Sequence, residues 1–335
     1  MPDNAKSDSQ RDSSPNLRVA IWNKDTERMF AQISANPSVV NTSVEGRLPL
    51  SETNNISIAK FLIAAGANVN ARDDVEGCTP LHRVVSREMA DLLIKSGADI
   101  NAKSDAGLNA LYYVEDPDAL KVLLKAGVDA KATGKDGVGV LHDRRASKEK
   151  VEILVKAGAN VNAVESSEGD TPLHTVHHEG AVEALIKAGA NVNATNKKGQ
   201  TPLHCSQVKP EHALVLIREG ANVNARDNNG RTPLHNAALS GPSNSTSAVK
   251  TIVVLIEAGA KVGEKDNGGH SAMEYIRELE ISVDERARII KAMETASEKM
   301  SAIKNPVKDE PLAVMAPRTP SVAHPVVNTG LGQVV

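Results

Sequence analysis

The chain has 335 residues, with 39 Lys and Arg against 42 Asp and Glu, for a formal charge of −3. Apolar residues make up 40% and aromatic residues only 2%, which argues against wholesale disorder and leaves a core of Ala, Leu, Val and Ile in thin helical layers. The near-neutral balance and scarce rings argue against a nucleic-acid surface, and two cysteines cannot form a disulfide framework, so a reducing compartment is expected.

In chain order, residues 1–16 are polar, carry no apolar stretch of a secretory signal and read as a disordered tail. No apolar run approaches the roughly 18 residues of a membrane helix. A cytoplasmic chain is expected, or one exported to a host cell by a route that leaves no N-terminal mark. Residues 17–46 read as a degenerate first repeat. Val19, Ala20, Trp22, Met29, Phe30 and Ile33 form its apolar face, and Asn36-Pro37 ends it.

Residues 47–269 are dominated by internal repetition. A Gly-Ala-Asn-Val-Asn-Ala phrase, exact or nearly so, starts at Gly66, Gly97, Gly127, Gly158, Gly189 and Gly220, with a weaker copy at Gly259; the steps are 31, 30, 31, 31, 31 and 39. A Thr-Pro-Leu-His phrase stands at Thr79–His82, Thr171–His174, Thr201–His204 and Thr232–His235, with degenerate copies at Leu48–Ser51, Asn109–Tyr112 and Gly139–His142. Pro suits the first turn of a helix, where its missing N–H costs nothing, and Thr before it suits an N-cap. Leu81, Leu173, Leu203 and Leu234 open an apolar helix face. A second helix follows, as in Ala90–Lys95, and the glycine ends it in a left-handed conformation. About seven such units are expected over 47–269, then two capping helices over 270–300. In these, Met273, Ile276 and Leu279, then Ile289, Ile290 and Met293, face inward. Residues 301–335 hold five prolines without periodicity and read as a second disordered tail.

The two phrases in register resemble an ankyrin-repeat array over residues 17–300. The resemblance implies an all-α solenoid of helix-turn-helix units joined by β-hairpin-like finger loops. It also implies that the recurrent His braces neighbouring loops. Ankyrin repeats typically run 33 residues; the shortfall here lies between Thr79 and Gly97, or Thr171 and Gly189, 18 steps in each case. The first helix is therefore expected to be trimmed. Only the repeat from Thr232 keeps Ala237-Ala238-Leu239-Ser240-Gly241, and the stretch 242–247 after it reads as an exposed loop.

Chemical motifs are few. His82, His142, His174, His204 and His235 recur once per unit and so do not converge on an ion. His174, His177 and His178 with Glu179 share a helical spacing, but lack a metalloprotease pattern and a fourth ligand. Cys78 and Cys205 lie four units apart, on the order of 40 Å at about 10 Å per layer, too far to bridge. Gly134–Gly139 lacks the strand and spacing of a phosphate loop. Asp73 with Asp74, and Asp284 with Glu285, read as solvated. Leu48-Pro49-Leu50 resembles the start of an F-box, yet Pro49 precedes Gly66 by 17, as Pro80 precedes Gly97. Asn70, Asn101, Asn162, Asn193 and Asn224 resemble asparaginyl-hydroxylation sites of animal ankyrin arrays, while turn hydrogen bonding also accounts for them.

No catalytic constellation is found, so a non-catalytic, monomeric protein-binding scaffold is expected, without cofactor, metal, membrane or nucleic-acid partner. Contacts are expected from finger residues Arg72, Asp74, Lys103, Asp105, Lys135, Lys197 and Arg226. On the short helices they are expected from Arg83, Tyr113, Asp143, Arg144, Thr175, Cys205 and Asn236. The alternative is a secreted microbial effector or a ubiquitin-ligase adaptor that docks a host protein and delivers through its C-terminal tail.

Overall fold

The computed structural model describes residues 17–205, 209–240, 245–279 and 281–304. Its described residues form nine successive helix pairs and no strand. The first pair is α1 (Leu17–Trp22) with α2 (Thr26–Ala35). Seven further pairs follow, beginning with α3 (Pro49–Glu52) with α4 (Ile56–Ala64), a 3-10 turn Pro80–Arg83 with α5 (Arg87–Lys95), α6 (Ala110–Tyr113) with α7 (Pro117–Ala126), and a 3-10 turn Val140–His142 with α8 (Lys148–Lys156). Then come α9 (Pro172–Thr175) with α10 (Glu179–Lys187), a 3-10 turn Pro202–His204 with α11 (Pro210–Arg218), and α12 (Pro233–Leu239) with α13 (Ser245–Glu257). The pair α14 (Ala272–Arg277) and α15 (Val283–Lys304) closes the described chain. One compact unit ends at Ala296 and a second begins at Ser297, inside α15.

Trimming of the first helix is visible as a single turn. After each His slot the backbone becomes extended, at Val84, Val114, Asp143, Val176 and Cys205, and this stops the turn. Only α12, with its Ala-Ala continuation, reaches seven residues. The long helices end at glycine with positive φ, 88° at Gly97 and 101° at Gly127, a conformation that a Cβ would strain. Gly107 is constrained twice: its φ is +77°, and a Cβ there would lie 3.0 Å from the Lys135 amide nitrogen of the next loop.

Four residues before each of these glycines stands a leucine: Leu62, Leu93, Leu123, Leu154, Leu185, Leu216 and Leu255, none more than 2% exposed. Stacking the long helices builds this column into one continuous core. Each buried leucine contributes about 1.5–3 kcal/mol relative to exposure. A single unit could not bury its own leucine, so stability resides in nearest-neighbour contacts.

Each finger is a tight loop closed by a backbone bond, as from Gly134 N–H to the Val138 carbonyl (2.8 Å), and its β character is confined to isolated bridges such as Thr133 with Gly139. The same loop accounts for the glycine-rich stretch 134–139. Asp73 is buried rather than solvated. Its Oδ1 accepts the N–H groups of Glu76 (2.9 Å) and Cys78 (3.1 Å). Burial would push its carboxyl up, but these bonds and Arg83 hold it below the usual range. In a later finger Glu165 accepts three N–H groups, from Ser167 and Glu168 at 2.7 Å and Asp170 at 2.9 Å. Against the cost of burial, these bonds lower its pKa to about 2.

Several expectations need correction. Trp22 is 75% and Phe30 63% exposed. Met29 and Ile33 take the inward face of α2 at i, i+4 spacing, which turns Phe30 aside onto Phe61, 6.4 Å between ring centroids. Ile290 is half exposed for the same reason, because Ile289 and Ala292 hold the inward face of α15. Residues 245–247 begin α13 rather than extending a loop, and α15 runs four residues into the expected C-terminal tail. By contrast, Leu48-Pro49-Leu50 agrees with the spacing, with Pro49 at the start of α3 and Leu50 buried. The tail assignments for 1–16 and 305–335 lie outside the described residues.

Candidate partner-binding surface

The His slot sets the short-helix face. The Thr79 backbone N–H donates to His82 Nδ1 (3.2 Å), which leaves the ring proton on Nε2 to donate to the Leu108 carbonyl of the next loop (3.2 Å). The same two-sided brace recurs at His142 to Asp170, His174 to Gln200, His204 to Arg231 and His235 to His270. The ring must be neutral to accept at Nδ1. Burial lowers the pKa of His82, His174, His204 and His235 and so favours that state. Between the long helices Asn70, Asn162, Asn193 and Asn224 each donate to the glycine carbonyl ending the next long helix, at 3.0–3.1 Å. Each also accepts a backbone N–H from that next repeat.

One joint departs from this pattern. Tyr112 occupies the His slot, and a lysine takes over the brace. Lys150 of α8 is completely buried, and its Nζ donates to the Tyr112 carbonyl (2.8 Å), Glu115 (3.2 Å) and Asp143 (2.7 Å). Three acceptors match the three donors of an ammonium. Burial would raise the Asp143 carboxyl, but Lys150 holds it below its usual range; Glu115, less closely held, is raised by burial.

Around this joint opens a groove of about 680 Å³. Its walls include Arg47, Glu76, Arg83, Val85, Tyr112, Tyr113, Asp116 and Arg145. Tyr113 stands edge-on to His82 (5.5 Å) and Tyr112 (5.3 Å), and its hydroxyl donates to Ser104 (2.9 Å). Arg83 is clamped by Asp73 and Glu76, both at 2.8 Å.

The expected contact residues divide accordingly. Tyr113 and Arg83 line the groove. Arg72, Asp74, Lys103, Asp105, Lys135, Lys197 and Arg226 are exposed on the fingers. Several also tie fingers together: Arg72 pairs with Asp105, Lys197 reaches the Ser166 carbonyl, and Arg226 pairs with Glu264 (3.3 Å). Arg144 is exposed, whereas Thr175 and Asn236 are half-buried, and Asn236 donates to the His204 carbonyl (3.0 Å). Asp143 and Cys205 are engaged within the chain. Asp143 is 3% exposed and neutralised by Lys150. The Cys205 thiol faces the His174 carbonyl at 3.5 Å, and burial raises its pKa to about 12. Lys150, the residue that organises the joint, has a signature in the repeat. The position eight before each glycine reads Ile58, Met89, Ala119, Lys150, Ala181, His212 and Thr251, and a charge there breaks the column.

Among the described residues no group of three or more His, Cys, Asp or Glu converges as metal ligands do, the stretch from His174 to Glu179 included. No described helix is long and apolar enough to cross a membrane.

Stacked helix pairs that touch only their neighbours and are cross-braced at each joint define a helical repeat solenoid. A sequence model of ankyrin repeats (3 copies) matches residues 17–104, 108–196 and 175–266, and the chain belongs to the ankyrin-repeat family. No curated protein matches it. Ankyrin repeats are generally protein–protein interaction modules, typically without catalysis.

Proposed function

We propose that the chain is a non-catalytic binding module that holds a partner protein on its short-helix and finger face, centred on the groove at Tyr112 and Tyr113. The open groove beside those two rings carries this reading. Two of the chain's three tyrosines meet there, flanked by Arg83, Arg145, Glu76 and Asp116. Rings and arginines ringed by polar groups are the usual composition of an interface hot spot. The exposed finger residues Lys103, Asp105 and Lys135 extend the contact along neighbouring repeats.

Val85 is half exposed on the groove wall, so Val85→Glu places a charge in the contact without disturbing the core. Full-length protein immobilised on beads should capture a partner that Val85→Glu loses. Val283→Glu, at a more solvated site on α15, should retain it. Identical capture by wild type and Val85→Glu would defeat the reading.

A further inference from the structure

Most long helices receive a side-chain cap. Asn55 accepts the Ser57 N–H at the start of α4 (2.9 Å), Ser86 that of Met89 in α5 (3.3 Å), Asp116 that of Ala119 in α7 (2.7 Å), and Ser147 that of Lys150 in α8 (3.2 Å). The adjacent helices α10 and α11, nine residues each, do not. Their N-caps are His178 and Lys209, and neither side chain makes a cap bond. A cation at the positive end of a helix dipole is unfavourable unless something negative lies against it.

The surroundings add positive charge. Arg144 and Lys209 are exposed, with no side-chain partner among the described residues, and Arg144 belongs to the turn whose carbonyl accepts the His177 N–H (3.3 Å). Lys148 lies across the first turn of α10, so close that a Cβ on Gly180 would meet the Lys148 Cβ at 3.0 Å. Behind this ledge His177 and His212 line one small pocket. His177 Nε2 is buried without a hydrogen-bond partner; His212 is 4% exposed, and its side chain has no partner among the described residues. The groups facing them are Arg144 and Lys209 toward His177, and Lys209, His177, His178 and the opposing Glu211 toward His212. Glu179 lies in the first turn of α10. The fixed cations Arg144, Lys148 and Lys209 thus stand near Glu179 and Glu211, with Glu152 and Glu183 beside Lys148, and the imidazoles of His177 and His212 lie behind them.

We propose that this ledge docks an acidic segment of a partner protein, and that docking takes up protons at His177 and His212, so the complex tightens as the pH falls. The proposal rests on the protein-binding reading and names the chemistry of the partner. Acidic side chains would supply the missing caps of α10 and α11, pair with Arg144, Lys148 and Lys209, and stabilise the imidazolium forms. Without them, burial and the neighbouring cations hold His177 and His212 neutral, with pKa values below the ordinary one. A carboxylate partner reverses that bias, and linkage then requires affinity to rise with proton uptake.

The test is fluorescence anisotropy of the full chain with a labelled Asp/Glu-rich peptide, against a Lys-rich peptide and a single-stranded oligonucleotide, from about pH 7.5 to about pH 5.5. Wild type should bind the acidic peptide alone, roughly tenfold more tightly at the lower pH. The surface double variant Arg144→Glu with Lys209→Glu should lose binding while melting as wild type does. His177→Gln with His212→Gln should bind at neutral pH but lose the tightening. No binding of the acidic peptide, equal binding by the charge-reversal variant, or tightening retained in the histidine variant would overturn the proposal. Tighter binding of the oligonucleotide would reassign the ledge to nucleic acid. Capture of a partner through Val85 would survive any of these failures, so the two readings are separable.

Discussion

The joint at Tyr112 and the joints at His82, His174, His204 and His235 solve the same problem with opposite chemistry. At the histidine joints a neutral, desolvated ring bridges two backbone groups, and its charge is never needed. At Tyr112 the bridge is a buried ammonium held by a carbonyl and two carboxylates. A neutral brace loses little more than its hydrogen bonds when removed. A charged one leaves its partner stranded in a low dielectric. The difference teaches where the array is uniform and where it is individual: the histidine brace recurs unchanged, while Lys150 requires Glu115 and Asp143 around it.

Breaking the charged joint should have the largest effect. Lys150→Ala strands Asp143, which is 3% exposed, and should destabilise the array by about 3–5 kcal/mol in urea unfolding. Combining Lys150→Met with Asp143→Leu should restore most of that loss. If the double variant is no better than the single, the charge account is wrong and packing alone is responsible. Leu185→Ala, in the leucine column shared by all seven repeats, should cost about 2–5 kcal/mol wherever the joint is neutral.

His174→Ala should cost about 1–3 kcal/mol, chiefly from the unpaired Thr171 N–H and Gln200 carbonyl. Faster amide exchange should be confined to those two loops. The histidine joints also sharpen the comparison through pH. Their folded pKa values lie below the ordinary 6.5, so the unfolded chain binds more protons below that value. Their contribution is present above about pH 6.5 and falls as the pH drops toward the folded values. For Asp143 the folded carboxyl also lies below its ordinary value, 3.8, so stability linked to it is lost only in stronger acid. Urea midpoints should therefore fall between about pH 7 and 5.5 in wild type, and less steeply in a variant without His174. Lys103→Ala, on an exposed finger away from either brace, should move stability by less than about 0.5 kcal/mol.

The periodic part of the molecule was readable from residues alone. Glycine spacing, Pro at N1 and the short gap from Thr79 to Gly97 locate the paired helices, the single-turn inner elements and the exceptional α12. The brace formed by His82 and its equivalents was available only through the resemblance, since no local rule says which carbonyl a ring will reach. Burial at single positions was harder to read. Trp22 and Phe30 are apolar but sit one helical step off the inward face, and hydrophobicity without phase assigns them wrongly. Asp73, Asp143 and Cys205 look like surface residues because their partners, the backbone amides at 76 and 78, Lys150, and the His174 carbonyl, are brought near only by the folded chain. The signal for Lys150 and His212 was present as an alignment of the repeats against one another, where both interrupt an otherwise mostly apolar position.

Lys150 also bears on how a chain of near-copies keeps its order. Units that share one interface are interchangeable in principle, so a segment could settle beside the wrong neighbour or beside its counterpart in another chain. An ammonium that is satisfied only behind the segment carrying Tyr112 and Glu115 acts as an address label for the middle of the array. Transplanting residues 140–158 elsewhere in the series should yield a protein that mis-stacks or aggregates, whereas exchanging two histidine-type units should be tolerated.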